Sequence, residues 1–121
     1  MNEKKDLSEN ETFAIAFQNH QKKIKDAQDL YKKILKTNPN HLKSIFYLGS
    51  LSLQTKNFDL AKSLLQKAIE IQPDFATAHN NLGIVFGELR QLQKATNHFK
   101  KAIKIQQNFA NAHYNLGKTF N

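Results

Sequence analysis

Apolar residues along this chain step by three and four, the spacing of one helix face, and the stripes come in pairs. Ile45, Leu48 and Leu51 mark one such face; Phe58, Ala61, Leu65, Ala68 and Ile69 mark the next. Extended over the chain, the pattern predicts helices at residues 8–20, 24–37, 41–54, 58–71, 75–88, 92–105 and 109–120. The pair then recurs with a period of 34: the stretch QKAIEIQPDFATAHNNLG at 66–83 lies over KKAIKIQQNFANAHYNLG at 100–117. Single columns carry the register backwards through Leu48, Leu82 and Leu116, each followed by glycine, through Ala27, Ala61 and Ala95, and through Tyr31, Leu65 and Phe99. A fixed period of this length marks stacked supersecondary units rather than a closed globule.

Helix punctuation recurs at the same period. Asp6, Asn40, Asp74 and Asn108 stand just before predicted helices, where a side-chain oxygen can accept from free first-turn N–H groups. Pro39 and Pro73 come one residue earlier and block continuation of the preceding helix. A mid-helix glycine costs about 1 kcal/mol against alanine, so Gly49, Gly83 and Gly117 need a packing reason. The register expects them to face Ala27, Ala61 and Ala95.

These residues resemble the tetratricopeptide repeat, a 34-residue helix pair with Leu-Gly, aromatic, alanine and proline columns in fixed places. Units two and three carry Leu48-Gly49, Phe58, Ala61, Leu65, Ala68 and Pro73, then Leu82-Gly83, Phe86, Ala95, Phe99 and Ala102. The resemblance implies an all-α, right-handed solenoid of about 3.5 repeats. It divides into a polar tail at 1–7, a degenerate first repeat at 8–41, repeats at 42–75 and 76–109, and the first helix of a fourth at 110–121. Departures are Ala14-Ile15 in place of Leu-Gly, Gln107 in place of proline, and His79 and His113 in place of a large aromatic. The family's left-handed glycine between paired helices is replaced by Lys22, Lys56 and Arg90, at about 1 to 2 kcal/mol each if the backbone stays left-handed.

Composition removes function classes rather than adding one. With no Cys among 121 residues, thiol catalysis, disulfides and Cys-ligated zinc are excluded, nothing points to secretion, and a cytoplasmic setting is expected. No apolar run is long enough to span a membrane, and the start of the chain does not read as a signal peptide. The five histidines, His20, His41, His79, His98 and His113, are never three or four apart, so no helical metal pair arises. His79 and His113 are expected to stack along the array on the order of 10 Å apart. No cofactor, metal or catalytic residue is expected, and the chain reads as a non-enzyme.

Eighteen Lys+Arg against ten Asp+Glu give a formal charge of +8, but only Arg90 is arginine. Most lysines fall on second helices and turns, the outer face, which argues for a solvated surface and against sequence-specific nucleic-acid binding.

The resemblance implies that the inner groove, lined by first helices, is the binding surface. Its candidate residues are Lys43, Phe46, Tyr47, Asn80, Asn81, Ile84, Tyr114, Asn115 and Lys118. Asn81 and Asn115 precede Leu-Gly, 34 apart, and resemble the asparagine ladder by which O-linked N-acetylglucosamine transferases hold an extended peptide backbone. Two side-chain amides contribute about 1 kcal/mol each against roughly 8 kcal/mol for a micromolar ligand, so affinity must come from Phe46, Tyr47, Ile84 and Tyr114. The family's inward basic clamp for a C-terminal carboxylate is thin here, with Lys43 and Lys118 alone.

The fourth unit stops after its first helix, leaving Leu116 and Phe120 without the helix that should cover them. A longer protein, a homodimer through this half-repeat, or a rotated last helix would each account for it. The expectation is therefore a non-catalytic interaction module that binds an extended peptide or partner protein in the groove. The alternatives are the substrate-recruiting segment of a larger enzyme such as a glycosyltransferase, or a self-associating adaptor.

Overall fold

The computed structural model describes residues 7–20 and 22–120. Among them are seven helices and no strand: α1 (Glu9–Asn19), α2 (Ile24–Thr37), α3 (Leu42–Gln54), α4 (Phe58–Ile71), α5 (Ala76–Glu88), α6 (Leu92–Ile105) and α7 (Ala110–Thr119). Each helix packs on the next, and the first helices of successive pairs also touch, α3 on α5 and α5 on α7. This is the all-α helical-hairpin solenoid that the period of 34 implies. None of the described helices is long and apolar enough to cross a membrane.

The buried columns are the repeating ones. Ala27, Ala61 and Ala95 are fully buried, as are Tyr31 and Leu65, with Phe99 nearly so. The glycine expectation is corrected, because the missing side chains make room for large residues and not for the alanines. A Cβ built on Gly49 would lie 3.1 Å from Leu65 Cγ, and one on Gly83 would lie 2.4 Å from Phe99 Cε1. At Gly117 it would meet nothing within 4 Å.

The expected caps are also corrected by one residue. Asn40 and Asp74 occupy the third place of tight turns closed by His41 N–H to Asn38 O (3.1 Å) and Phe75 N–H to Gln72 O (3.1 Å), with proline second, where its fixed φ suits the turn. Asn108 sits in the same turn after Gln107. The N-caps are instead His41, whose Nδ1 accepts from Ser44 N–H, and Phe75 and Phe109, which supply no side-chain acceptor. Asp6, and the tail except Leu7, lie outside the described residues; α1 is capped by Ser8 and Glu11, which bond each other's backbone N–H.

The sharp bends between α3 and α4 and between α5 and α6 are left-handed, with φ of 65° at Lys56 and 62° at Arg90. Asn57 N–H reaches Ser52 O and Gln91 N–H reaches Phe86 O, both at 2.8 Å, the six-to-one bond that closes a helix after a left-handed residue. The corresponding bend at Lys22 abuts residue 21, which lies outside the described residues.

Candidate functional site: the inner groove

Two cavities open on the surface formed by the first helices, and they divide the nominated residues. One of about 440 Å³ holds Lys43, Phe46 and Tyr47, together with Leu42, Gln72, Phe75 and Thr77. The other, about 390 Å³, holds Ile84, Asn115 and Lys118 near the α5–α6 bend. Asn80, Asn81 and Tyr114 line neither.

The first cavity is aromatic because α3 presents Phe46 and Tyr47 side by side, with ring centroids 5.2 Å apart. Phe46 is buried against Phe75 at 4.6 Å, so its ring forms the floor and not the rim. Tyr47 is half-buried at the centre of a wider cluster, 5.2 Å from Phe17, 5.4 Å from His20 and 5.9 Å from Phe13. Lys43 is exposed, its Nζ 5.9 Å from the Phe13 ring centroid, so a cation stands beside this apolar surface. Phe17, 52% exposed, belongs to this cluster and lines a separate cavity with Gln18, His20 and Lys22, a place that the ladder columns missed. Its signal was local: Phe13 and Phe17 are four apart on α1, and their rings stack at 6.2 Å.

Below the cluster, burial together with the neighbouring Tyr47 hydroxyl pushes the Tyr31 pKa up to about 12. Its hydroxyl bonds His20 Nδ1 at 3.2 Å, and burial pushes the His20 pKa down. Glu9 fastens α1 to the α2–α3 turn, accepting from Asn38 Nδ2 at 3.0 Å and lying 3.3 Å from His41 Nε2.

The asparagines are bound within the protein. Asn81 donates from Nδ2 to Ser50 Oγ (3.2 Å), and Asn115 donates from Nδ2 to Asn80 Oδ1 (3.1 Å), so each links neighbouring first helices. Asn80 is correspondingly buried. Tyr114 is exposed beneath Lys118, whose Nζ stands 5.8 Å from its ring centroid. Leu116 is half-buried against the core, whereas Phe120 is 69% exposed.

His79 pairs with His98 on α6, Nδ1 to Nδ1 at 3.1 Å, and not with His113. Its Nε2 lies 2.9 Å from Pro73 O. A carbonyl only accepts, so His79 Nε2 carries hydrogen, which in a neutral ring leaves Nδ1 to accept from His98 Nδ1–H. Burial, and then the adjacent His79, push the His98 pKa down to about 4. Among the described residues no group of three His, Cys, Asp or Glu could hold a metal ion.

Among curated protein sequences nothing matches the chain. Among solved structures, MamA is similar at 22% identity and a TM-score of 0.87, over 93% of this chain and 67% of that one. The first TPR of Spaghetti (RPAP3), solved bound to the HSP90 peptide SRMEEVD, is similar at 19% identity and a TM-score of 0.87, over 93% of this chain and 90% of that one. A Thermobaculum terrenum O-GlcNAc transferase is similar at 20% identity and a TM-score of 0.84, over 96% of this chain but only 23% of the transferase. Tetratricopeptide repeat models match residues 13–41 and 44–108, the same helix pairs that the fold stacks, and the chain belongs to the tetratricopeptide repeat family.

Proposed function

We propose that this chain is a non-catalytic interaction module that binds an extended peptide of a partner protein in its inner groove, with an apolar side chain of the guest seated in the α3 cavity. The observation that carries this reading is the aromatic wall of Tyr47, Phe46 and Phe75, flanked by Lys43 and Leu42, around an open space of about 440 Å³. A site that is concave, mostly apolar and edged by a few polar groups is the usual form of a ligand pocket. Tetratricopeptide repeats are generally non-catalytic interaction modules, which supports the same class. The solved relative bound to an HSP90 peptide shows that a similar fold accommodates a peptide.

In this reading the asparagines rigidify the groove by joining α3 to α5 and α5 to α7, and the aromatics supply the affinity. Burying one large apolar side chain contributes about 1.5 to 3 kcal/mol, against about 1 kcal/mol for a neutral hydrogen bond. The test is selection of peptides from a random display library on the immobilised chain, followed by titration of the best binders into isotope-labelled protein. Selected peptides should shift the amides around Lys43, Tyr47 and Thr77, and Tyr47→Ala should weaken them about tenfold or more. Binders that shift only the outer face, or that ignore Tyr47→Ala, would refute the groove.

A further inference from the structure

Gly87 is a glycine that no contact of the fold requires. It lies inside α5, where glycine weakens a helix, yet its φ is not positive and a Cβ built on it would meet nothing within 4 Å. Thirty-four residues earlier the same place holds Leu53, whose side chain packs against the core. At Gly87 the corresponding space belongs to the cavity of about 390 Å³. Every wall of that cavity lies in α5, the α5–α6 bend, α6 or α7, so what opens it is a residue of α5 itself. Its apolar lining is Ile84, Leu92 and Phe99, and the exposed Glu88, Arg90 and Lys118 bring both signs of charge to it. Such a lining singles out neither an acid nor a base, and it suits an apolar side chain.

The place of this cavity relative to the aromatic one sets a spacing. Shifted by the period of 34, Gly83–Glu88 fall seven places beyond Leu42–Tyr47, so the two cavities lie toward opposite ends of their first helices. At about 1.5 Å per residue that is about 10 Å along the helix axis. The step sideways, from the α3–α5 gap to the α5–α7 gap, is one helix spacing of about 10 Å, which makes the diagonal about 14 Å. An extended chain advances about 3.3 Å per residue, so about four residues cover that diagonal, and residues four apart point to the same side of an extended strand.

We propose that the cavity at Gly87 is a second side-chain subsite of the groove, so that the guest is an extended peptide with two apolar side chains four residues apart, the other seated beside Tyr47. The proposal rests on the groove reading and adds to it the spacing that a partner must carry.

The test is selection from a random dodecapeptide display library, in parallel on the immobilised chain and on Gly87→Leu, which restores the side chain that Leu53 supplies one unit earlier. That side chain enters open space, so Gly87→Leu should melt no lower than the parent. Peptides enriched on the parent should carry apolar residues four apart. Titrated into the isotope-labelled chain, they should shift the amides of Gly83 and Gly87 as well as those around Tyr47. Gly87→Leu should weaken them about tenfold or more and enrich sequences with a single apolar anchor. Serine in place of the second apolar residue of the peptide should cost about tenfold or more on the parent and nothing on Gly87→Leu, a cycle that reads the contact itself and not the stability of the variant.

Enrichment of the same sequences on both proteins, with shifts confined to the Tyr47 side, would overturn the subsite and leave the groove reading standing. An acidic or basic residue enriched at the second place would overturn it too, by giving the cavity to a charge. No enrichment on either protein would refute the groove reading and the subsite with it.

Discussion

Alanine at each of the three repeated glycines should give three different signs. At Gly83 the new Cβ would lie 2.4 to 2.7 Å from three ring atoms of Phe99, against the 3.5 to 4.0 Å at which carbons rest (about a full ångström of overlap). Gly83 is buried and Phe99 only 3% exposed, so the ring can yield only toward the cavity of about 390 Å³ that both residues line. Overpacking of this kind costs about 1 to 3 kcal/mol, here toward the upper end. The gain in helix propensity returns about 1 kcal/mol, leaving a net loss of about 2 kcal/mol. For a chain of this size that lowers the melting temperature by roughly 8 °C. At Gly117 only the propensity operates, reduced because α7 ends at Thr119, so Gly117→Ala should gain about 0.5 kcal/mol. At Gly49 the contact is 3.1 Å to a leucine side chain that can yield, and the two effects should nearly cancel. Thermal and urea denaturation followed by far-ultraviolet circular dichroism would measure all three. Gly83→Ala melting at or above the parent, or Gly117→Ala falling as far as Gly83→Ala, would refute the reasoning.

Lys56→Gly and Arg90→Gly should each stabilise by about 0.5 to 1 kcal/mol, because relief of a left-handed non-glycine residue (about 1 to 2 kcal/mol) exceeds glycine's added unfolded-state entropy; paired melts would decide. Stability should fall as pH drops from 6.5 toward 4. The folded His98 pKa, about 4, lies below its ordinary 6.5, so in that window the unfolded chain binds the extra proton; above 6.5 the contribution is complete. Proton NMR titration of the imidazole and urea melts across that range would check it. Ultraviolet titration should find one tyrosine ionising near pH 12, absent in Tyr31→Phe, and that variant should lose about 1 kcal/mol with the hydroxyl bond to His20.

The sequence alone determined the helices, each within a residue of its expected ends, and the stacking that a period of 34 requires. It could do so because helix formation and face burial follow local spacing, and the same spacing was written three times over. The left-handed bends were legible only through the family resemblance, which puts a glycine there; Lys56 and Arg90 carry no such signal themselves, and the structure keeps the positive φ. Contacts between helices were decided only by the tertiary structure. Asn80 and Asn81 are adjacent and chemically identical in sequence, yet one is buried beneath Asn115 and the other reaches Ser50, because a turn of about 100° per residue aims neighbours at different helices. His79 and His113 share a column, but among the described residues only His79 has a second helix packed on it, which supplies His98. Phe17, too, entered an aromatic cluster only because packing brought Tyr47 of the next unit within 5.2 Å. Periodicity fixes what repeats; what differs between repeats depends on which neighbour is present, and that is set by packing in three dimensions.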